Sequence, residues 1–315
     1  MTIVAFLYPG QGSQKVGMGA ELLAAESDLL DGYLAQAEAA SGQPIRRICL
    51  EGPIEALTRT EVAQPALFAV SLALTDAARA RGIDPDFVAG HSLGEYTAAC
   101  AAGSLSVADG IELVSLRGQL MARIGDESPG AMAAVIGLSA GDLERLCEDA
   151  SGAGSVALAN INSPTQIVVS GEETGVVRLM ELAEGAGASR VVRLQVAAAF
   201  HSELMQPVRE QMAAAAREVA WSDPRVPVAV NARGELVRDG EALRTALVEQ
   251  IASPVRWVEC VEALAGAGVE TFLELGPGRV LGGLVRQIQA GADVFSADSP
   301  GRLEEFAEAH PAAVR

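Results

Sequence analysis

The chain has 315 residues, half of them hydrophobic, and a formal net charge of −18. This length predicts one large domain or a core with a smaller companion, and the acidic charge argues against nucleic acid and anionic membrane as partners. Four scattered cysteines without CxxC spacing predict a cytoplasmic protein with reduced thiols and no metal site. No apolar run reaches the ~18 residues of a membrane-spanning helix, and the first residues predict a strand instead of a signal peptide.

The first part of the chain predicts strands that alternate with helices. In chain order the elements are a strand at 3–8, a glycine-rich loop at 9–14, helices at 27–40 and 60–81, a strand at 87–90 and a helix at 106–124. Strands that are each followed by a helix indicate an α/β layer with a parallel sheet.

The segment 129–197 has a different order, βαββαβ, which is typical of a ferredoxin-like unit. Its predicted strands are 131–138, 156–160, 166–170 and 190–196, and its predicted helices are 140–150 and 172–185. The α/β pattern then resumes with a helix at 204–219, a strand at 226–230, helices at 240–251 and 255–266, a strand at 271–275 and a helix at 280–289. We therefore expect a catalytic core formed by 1–128 and 198–315, with 129–197 as an inserted domain. The polar tail around His310 is expected to fray.

The most informative motif is Gly90-His91-Ser92-Leu93-Gly94, which follows the apolar run 87–89 and precedes a helix-compatible run. A serine between two glycines, entered from a strand and left by a helix, is the pattern of a nucleophile elbow. The alternative is a glycine-flanked surface turn, since this pattern recurs by chance in glycine-rich chains. The strand–turn–helix setting favours the elbow.

A serine nucleophile needs a general base, which is usually histidine. The chain has three histidines. His91 neighbours the serine on the elbow, where adjacent side chains point apart, and His310 lies in the polar tail. Elimination therefore leaves His201 as the base, and a histidine that is hydrogen-bonded for packing alone is the alternative.

Arg117 lies within the apolar stripe of the helix predicted at 106–124, and that stripe is formed by Leu113, Val114, Leu120, Met121 and Ile124. A guanidinium that faces a core needs a partner, because a buried unpaired charge is very costly. A carboxylate is its natural bidentate partner. Two alternatives remain open on the residues alone: an internal salt bridge, or the carboxylate of a substrate.

Together these motifs resemble the signatures of malonyl-CoA:acyl carrier protein transacylases. The matching segments are Pro9-Gly10-Gln11-Gly12-Ser13-Gln14, Gly90-His91-Ser92-Leu93-Gly94-Glu95-Tyr96, Arg117, Asn162-Ser163-Pro164, Val169-Ser170-Gly171, Phe200-His201-Ser202 and Glu274-Leu275-Gly276-Pro277-Gly278. The resemblance extends from Phe6 to about Ile288 with the motifs in order. It implies an α/β fold class, with an α/β-hydrolase-like core and an inserted ferredoxin-like domain.

The resemblance also implies a ping-pong reaction that moves a malonyl group from malonyl-CoA to the phosphopantetheine thiol of an acyl carrier protein, with no bound cofactor. Ser92 is then the acylated nucleophile, and His201 is the general base and later the general acid. Arg117 pairs with the malonyl carboxylate.

Three further roles follow from the same resemblance. The backbone amides of Gln11 and Leu93 would form the oxyanion hole, and the backbone carbonyl of Gln250 would orient the histidine in a Ser–His dyad. Phe200 resembles the Ala-Phe-His ending of malonyl-selective polyketide acyltransferases, so we expect malonyl selectivity and favour a stand-alone polyketide enzyme over its fatty-acid counterpart.

Two other functions compete with this interpretation. The first is an editing hydrolase that releases acyl groups from carrier proteins, and Arg117 argues against it because such an enzyme has little use for a carboxylate clamp. The second is a non-catalytic carrier-binding module, which the intact pair of Ser92 and His201 makes a poor fit. We further expect the carrier protein to dock on arginines near the mouth of the cleft, with Arg190, Arg193, Arg279 and Arg286 as candidates.

Overall fold

The structure, a computed structural model, describes residues 2–196 and 198–315 and divides their strands between two sheets. The large sheet contains β1 (Val4–Tyr8), β2 (Phe87–Gly90), β7 (Val228–Val230), β8 (Glu235–Val237), β9 (Thr271–Leu275) and β10 (Asp293–Ala297). The small sheet contains β3 (Ala131–Ile136), β4 (Val156–Ser163), β5 (Gln166–Gly171) and β6 (Arg190–Arg193). The predicted α/β class with a parallel sheet and a second, smaller unit is confirmed.

Helices flank both sheets and connect their strands. They are α1 (Ala20–Ala25), α2 (Ser27–Ser41), α3 (Ile45–Glu51), α4 (Ile54–Thr58), α5 (Thr60–Ala80), α6 (Gly94–Ala101), α7 (Val107–Glu127), α8 (Ala140–Ala150), α9 (Glu173–Gly185), α10 (Gln206–Glu218), α11 (Gly240–Glu249), α12 (Trp257–Gly266), α13 (Val280–Ile288) and α14 (Pro300–Ala309). Short 3₁₀ turns cover Glu203–Met205, Gln250–Ala252 and Pro311–Ala313. Within 2–196 and 198–315, no helix has the length and apolarity to cross a membrane.

The large sheet has the order β10-β9-β1-β2-β7-β8, and its strands are parallel except for β8, which runs antiparallel to β7. Strand β1 is buried on both faces. Its Val4, Phe6 and Tyr8 join the core on one side of the sheet, while Ala5 and Leu7 join the core on the other. Because side chains alternate along a strand, β1 can pack against helices on both faces, as a central parallel strand requires.

The small sheet has the order β4-β5-β3-β6 and is antiparallel, with α8 and α9 as its helices. This arrangement is the predicted ferredoxin-like unit. Two backbone hydrogen bonds attach β4 to the large unit at Val255: Val255 N donates to Ala159 O, and Ile161 N donates to Val255 O. The domain limits at 128/129 and 197/198 stay a prediction, and Ala197 itself lies outside the described residues.

The expectation of a fraying tail is wrong. Strand β10 and helix α14 complete the large unit, and Leu303 and Phe306 of α14 are fully buried. His310 stacks on the ring of Phe306 with centroids 4.3 Å apart, and its Nε2 lies 2.7 Å from Asp293 Oδ2. The segment is polar on average, but its few apolar residues recur at helical spacing and form the buried face of α14.

Candidate active site

The two loops that carry the predicted catalytic groups meet because their strands are neighbours. Strand β1 pairs in parallel with β2, so Tyr8 at the end of β1 lies beside Gly90 at the end of β2. The loop with Gln11 and the elbow with Ser92 therefore leave the same edge of the sheet. Crevices outside the carboxyl ends of parallel strands are where α/β proteins bind their ligands.

The elbow has the strained geometry that its glycines predict. Ser92 has a φ of 52°, which is rare for a residue with a side chain. A Cβ on Gly90 would lie 1.9 Å from the carbonyl atoms of Gly94, and a Cβ on Gly94 would lie 2.0 Å from Tyr8 O. Only glycine fits at either position, so the turn that exposes the serine depends on both.

We expect Gly90→Ala to lower the free energy of unfolding by about 3 kcal/mol, because the added methyl group overlaps backbone that has no room to move. Gly283→Ala is the matched control. A Cβ there meets nothing within 4 Å, and alanine is the better helix former, so this variant should be as stable as the parent or more so. Chemical denaturation of both variants measures the difference, and equal stability would contradict this account of the elbow.

The structure brings Ser92 and His201 together across 109 residues of sequence. Ser92 Oγ lies 2.8 Å from His201 Nε2, and His201 Nδ1 lies 2.8 Å from the backbone carbonyl oxygen of Gln250. A carbonyl can only accept, so Nδ1 carries the proton and Nε2 presents its lone pair to the Ser92 hydroxyl. The predicted pair therefore has the geometry of a nucleophile and its general base, with a carbonyl as the orienting group.

Burial keeps the His201 imidazole neutral. The side chain is 4% exposed, and burial, together with the nearby charge of Arg117, lowers its pKa to about 3. A neutral imidazole is the form that accepts a proton from a hydroxyl or a thiol. Because the pKa lies far below neutrality, the base is in its working form throughout the physiological pH range.

Arg117 is 1% exposed and points at the nucleophile. It donates to Gln64 Oε1 at 2.8 Å, to Gln250 Oε1 at 3.0 Å and to Ser92 Oγ at 3.0 Å. No carboxylate of the described residues lies within ion-pair distance of it, so the internal salt bridge considered from the sequence is not formed there. A buried cation whose direct hydrogen-bond partners are all neutral is suited to bind an anion.

A cleft of about 290 Å³ opens over Ser92, His201 and Arg117. Gln11 and Leu93 line this cleft, and neither of their backbone N–H groups has a hydrogen-bond acceptor among the described residues. Phe200 also lines the cleft, next to the histidine. The structure therefore brings all the predicted catalytic, oxyanion and selectivity residues to one place.

The other predicted residues have different positions. His91 points away from the serine, and its Nε2 lies 2.7 Å from Asn162 Oδ1 of the small unit. Among the four candidate docking arginines, Arg193 pairs with Glu173, and Arg286 donates to the carbonyl oxygen of Val294 near the amino end of β10. That end of the sheet is opposite to the cleft, so the four do not form one patch at its mouth.

Sequence reasoning missed three buried polar residues that hold the site. Asn231 Oδ1 accepts from Ser92 N at 2.7 Å, and Asn231 Nδ2 donates to Gly90 O at 2.8 Å. The Asn231 side chain is therefore hydrogen-bonded to two residues of the elbow. Glu95 accepts from Gln250 Nε2, and Gln64 accepts from Arg117. Asn231 directly follows β7, at the carboxyl edge of the sheet where α/β proteins bind their ligands. A polar residue at that position was the sequence signal that could have identified it.

Within the described ranges, no group of three or more His, Cys, Asp or Glu side chains is arranged to hold a metal ion. The four cysteines are unpaired and buried. That the protein works without a cofactor stays a prediction.

A strained serine on an elbow and a histidine at hydrogen-bond distance, at the carboxyl edge of a parallel sheet, are the arrangement of an enzyme of the serine acyl-transfer class. The particular family follows from comparison with known proteins. The chain belongs to the acyl transferase domain family, whose model matches residues 5–305.

The relatives agree in length as well as in sequence. A malonyl CoA-acyl carrier protein transacylase of Bacillus subtilis is 40% identical over 308 residues, covering 96% of each chain. Its counterpart from Escherichia coli K12 is 40% identical over 289 residues, covering 91% of this chain and 93% of the relative.

Solved structures show the same fold. The malonyl-CoA:acyl carrier protein transacylase of Xanthomonas oryzae has a TM-score of 0.93 at 40% identity, covering 98% of this chain and 99% of the other. A malonyl-transacylase in complex with its type II PKS acyl-carrier protein also has a TM-score of 0.93, at 36% identity, covering 98% of this chain and 100% of the other.

Proposed function

We propose that this protein transfers a malonyl group from malonyl-CoA to the phosphopantetheine thiol of an acyl carrier protein through an acyl-Ser92 intermediate. The observation that carries the proposal is the buried guanidinium of Arg117, 3.0 Å from Ser92 Oγ. A fixed cation at that distance favours an acyl group that carries its own carboxylate. The two relatives above are named for this reaction.

In the first half-reaction, His201 Nε2 takes the proton of the Ser92 hydroxyl while Oγ bonds to the thioester carbonyl carbon. The carbonyl π electrons move onto its oxygen, which the amides of Gln11 and Leu93 receive. Collapse of this intermediate breaks the carbon–sulfur bond, and the CoA sulfur leaves with the proton from His201. Each backbone N–H that donates to the oxyanion typically stabilises the transition state by about 3 kcal/mol.

In the second half-reaction, the carrier-protein thiol replaces CoA. His201 takes the thiol proton, and the sulfur attacks the Ser92 ester at the same carbonyl carbon. The carbon–oxygen bond breaks, and the proton returns to Ser92 Oγ. The acyl donor and the acyl acceptor therefore use one site in turn, which is a ping-pong reaction.

Arg117 is proposed to bind the malonyl carboxylate and to hold the ester away from water. Its two Nη atoms bond to carboxamide oxygens and to Ser92 Oγ, so the guanidinium is fixed before the substrate arrives. Orientation of this kind lowers the barrier only for acyl groups that fit the clamp. This favours transfer over the alternative of an editing hydrolase.

Phe200 supports malonyl selectivity, because a phenyl ring in the cleft leaves less room for a branch at the α-carbon. One methylene changes binding by only ~1–3 kcal/mol, so the preference is a matter of degree. The proposal of a role in polyketide biosynthesis rests on Phe200, since the transacylase of Xanthomonas oryzae and the malonyl-transacylase solved with its type II PKS acyl-carrier protein have the same TM-score. A cytoplasmic location is proposed from the pattern of buried, unpaired cysteines.

The proposed function is tested by steady-state transfer of labelled malonyl from malonyl-CoA to carrier proteins. A phosphopantetheinylated carrier protein should become labelled, and the same carrier without the prosthetic group should not. Parallel assays with a fatty-acid carrier and a polyketide carrier measure the pathway preference. Release of free malonate at the same rate with and without a carrier would favour the hydrolase instead.

A further inference from the structure

Glu95 is a buried carboxylate next to the active site that the reaction above does not use. It is fully buried on α6, three residues after the nucleophile. Its Oε2 accepts from Gln250 Nε2 at 2.7 Å and from Asn231 N at 3.2 Å, whereas its Oε1 has no partner among the described residues. Burying a carboxylate that has one oxygen without a hydrogen-bond partner costs free energy, so another interaction must favour a charged group at this position.

That interaction is with Arg117, which lies on the other side of the Gln250 carboxamide. The carboxamide of Gln250 accepts from Arg117 Nη2 at 3.0 Å with its oxygen and donates to Glu95 Oε2 at 2.7 Å with its nitrogen. The amide dipole is thus aligned between a buried cation and a buried anion. The two charges form an ion pair that is separated by one carboxamide.

This separation leaves the face of Arg117 that points to Ser92 open to a second anion. Charges interact strongly at such sites, because the interior screens them far less than water does. In the empty site the carboxylate of Glu95 offsets the charge of Arg117. A malonyl carboxylate that binds Arg117 meets the negative charge of Glu95 behind it, whereas a neutral acyl group does not.

We propose that Glu95 is the counter-charge of Arg117 in the empty site, and that it sets how strongly the site prefers a carboxylate-bearing acyl group over a neutral one. The inference rests on the proposed function, since it needs Arg117 as the partner of the malonyl carboxylate. Loss of the Glu95 charge makes the potential at Arg117 more positive. The preference for malonyl over acetyl then increases.

The test is a competition between malonyl-CoA and acetyl-CoA for Ser92 at pH 8, read as the ratio of the two acyl adducts by mass spectrometry of the intact protein. Glu95→Gln keeps the length of the side chain and an oxygen that can accept from Gln250. We expect this variant to raise the malonyl-to-acetyl ratio about tenfold. An unchanged or lower ratio overturns the proposal, because a purely structural Glu95 would weaken both acylations alike.

Two further variants make the result specific. Glu274→Gln removes another fully buried carboxylate, which bonds to Leu281 N, Gly282 N and Ser296 Oγ, and it should leave the ratio unchanged. Arg117→Ala should abolish the malonyl preference. A malonyl-to-acetyl ratio that is unchanged in Arg117→Ala refutes the proposed function. If Arg117→Ala abolishes the malonyl preference but Glu95→Gln leaves the ratio unchanged, this inference alone is refuted.

The wild-type protein supplies the test if Glu95→Gln does not fold. Burial raises the pKa of Glu95 to about 7, so its carboxylate gains a proton as the pH falls from 8 to 6. The groups coupled to it are Arg117, Tyr96 and Cys260. Arginine stays charged, and burial raises the pKa of Tyr96 to about 12 and that of Cys260 well above its usual value, so none of them titrates in this range.

His201 acts on both donors alike, so it cancels from the ratio. We expect the wild-type malonyl-to-acetyl ratio to rise several-fold between pH 8 and pH 6. A constant or falling ratio overturns the proposal.

Discussion

His201→Ala should lower the rate of Ser92 acylation by malonyl-CoA by about 10⁴-fold. The variant lacks the group that takes the serine proton, and water is a poor substitute in a buried site. The loss should appear in single-turnover acylation, measured by quenched-flow and mass spectrometry. It should leave the binding of CoA nearly unchanged, since His201 acts on the proton and not on the nucleotide.

His310→Ala is the matched control for this experiment. His310 is also hydrogen-bonded and stacked, but it lies at the opposite end of the sheet, where it pairs with Asp293. Its loss should cost stability and leave acylation unchanged. A His201→Ala variant that kept a tenth of the parent rate would contradict the assignment of the base.

Arg117→Ala should lower acylation by malonyl-CoA by about 10²–10³-fold. The variant leaves the malonyl carboxylate in a buried site without its cation, and that cost applies only to a charged acyl group. Acylation by acetyl-CoA should therefore fall much less. Rates for both donors, measured at saturating and subsaturating concentrations, separate the effects on KM and kcat.

Arg286→Ala is the control for loss of an arginine. Its guanidinium donates to the carbonyl oxygen of Val294, away from the cleft. Its removal should therefore leave the acylation rates with malonyl-CoA and with acetyl-CoA unchanged. Arg117→Lys adds a second comparison, because lysine keeps the charge but cannot make the forked contacts of a guanidinium. Malonyl kinetics that are unchanged in Arg117→Ala would rule out the proposed clamp.

The sequence predicted the centre of the site because few residues could fill each role. Gly90 and Gly94 around Ser92 specify a turn that only glycine can make, and three histidines left one candidate for the base. Arg117 was recognisable from its place in an apolar helical stripe. Its partner was not, because the choice between an internal carboxylate and a substrate depends on what surrounds the guanidinium in space.

The supporting hydrogen bonds could not be predicted in the same way. Glu95 lies on α6, Asn231 follows β7 and Gln250 begins the 3₁₀ turn after α11, so the contacts among them depend on how these segments pack. Nothing in the local sequence around Gln250 specifies that its side chain lies between Arg117 and Glu95. Such networks depend on tertiary placement to within an ångström, which patterns of hydrophobicity do not determine.

The missed carboxyl-terminal elements have another cause. Helix α14 is rich in alanine and glutamate, and its mean polarity predicts a solvated tail. Pro300, Leu303 and Phe306 nevertheless recur at a spacing of three and bury one face against the core. A short amphipathic helix that covers a sheet edge needs only this narrow stripe.

Ser92 is expected to hold a malonyl group until a thiol removes it, and this role defines the reaction. Its most direct test is the mass of the intact protein after brief exposure to malonyl-CoA, followed by addition of a phosphopantetheinylated carrier protein. We predict one added malonyl group that is absent in Ser92→Ala, persists in buffer, and moves to the carrier protein within the dead time of manual mixing. An adduct that decays in buffer as fast as it does with the carrier, or that forms equally in Ser92→Ala, would contradict the account.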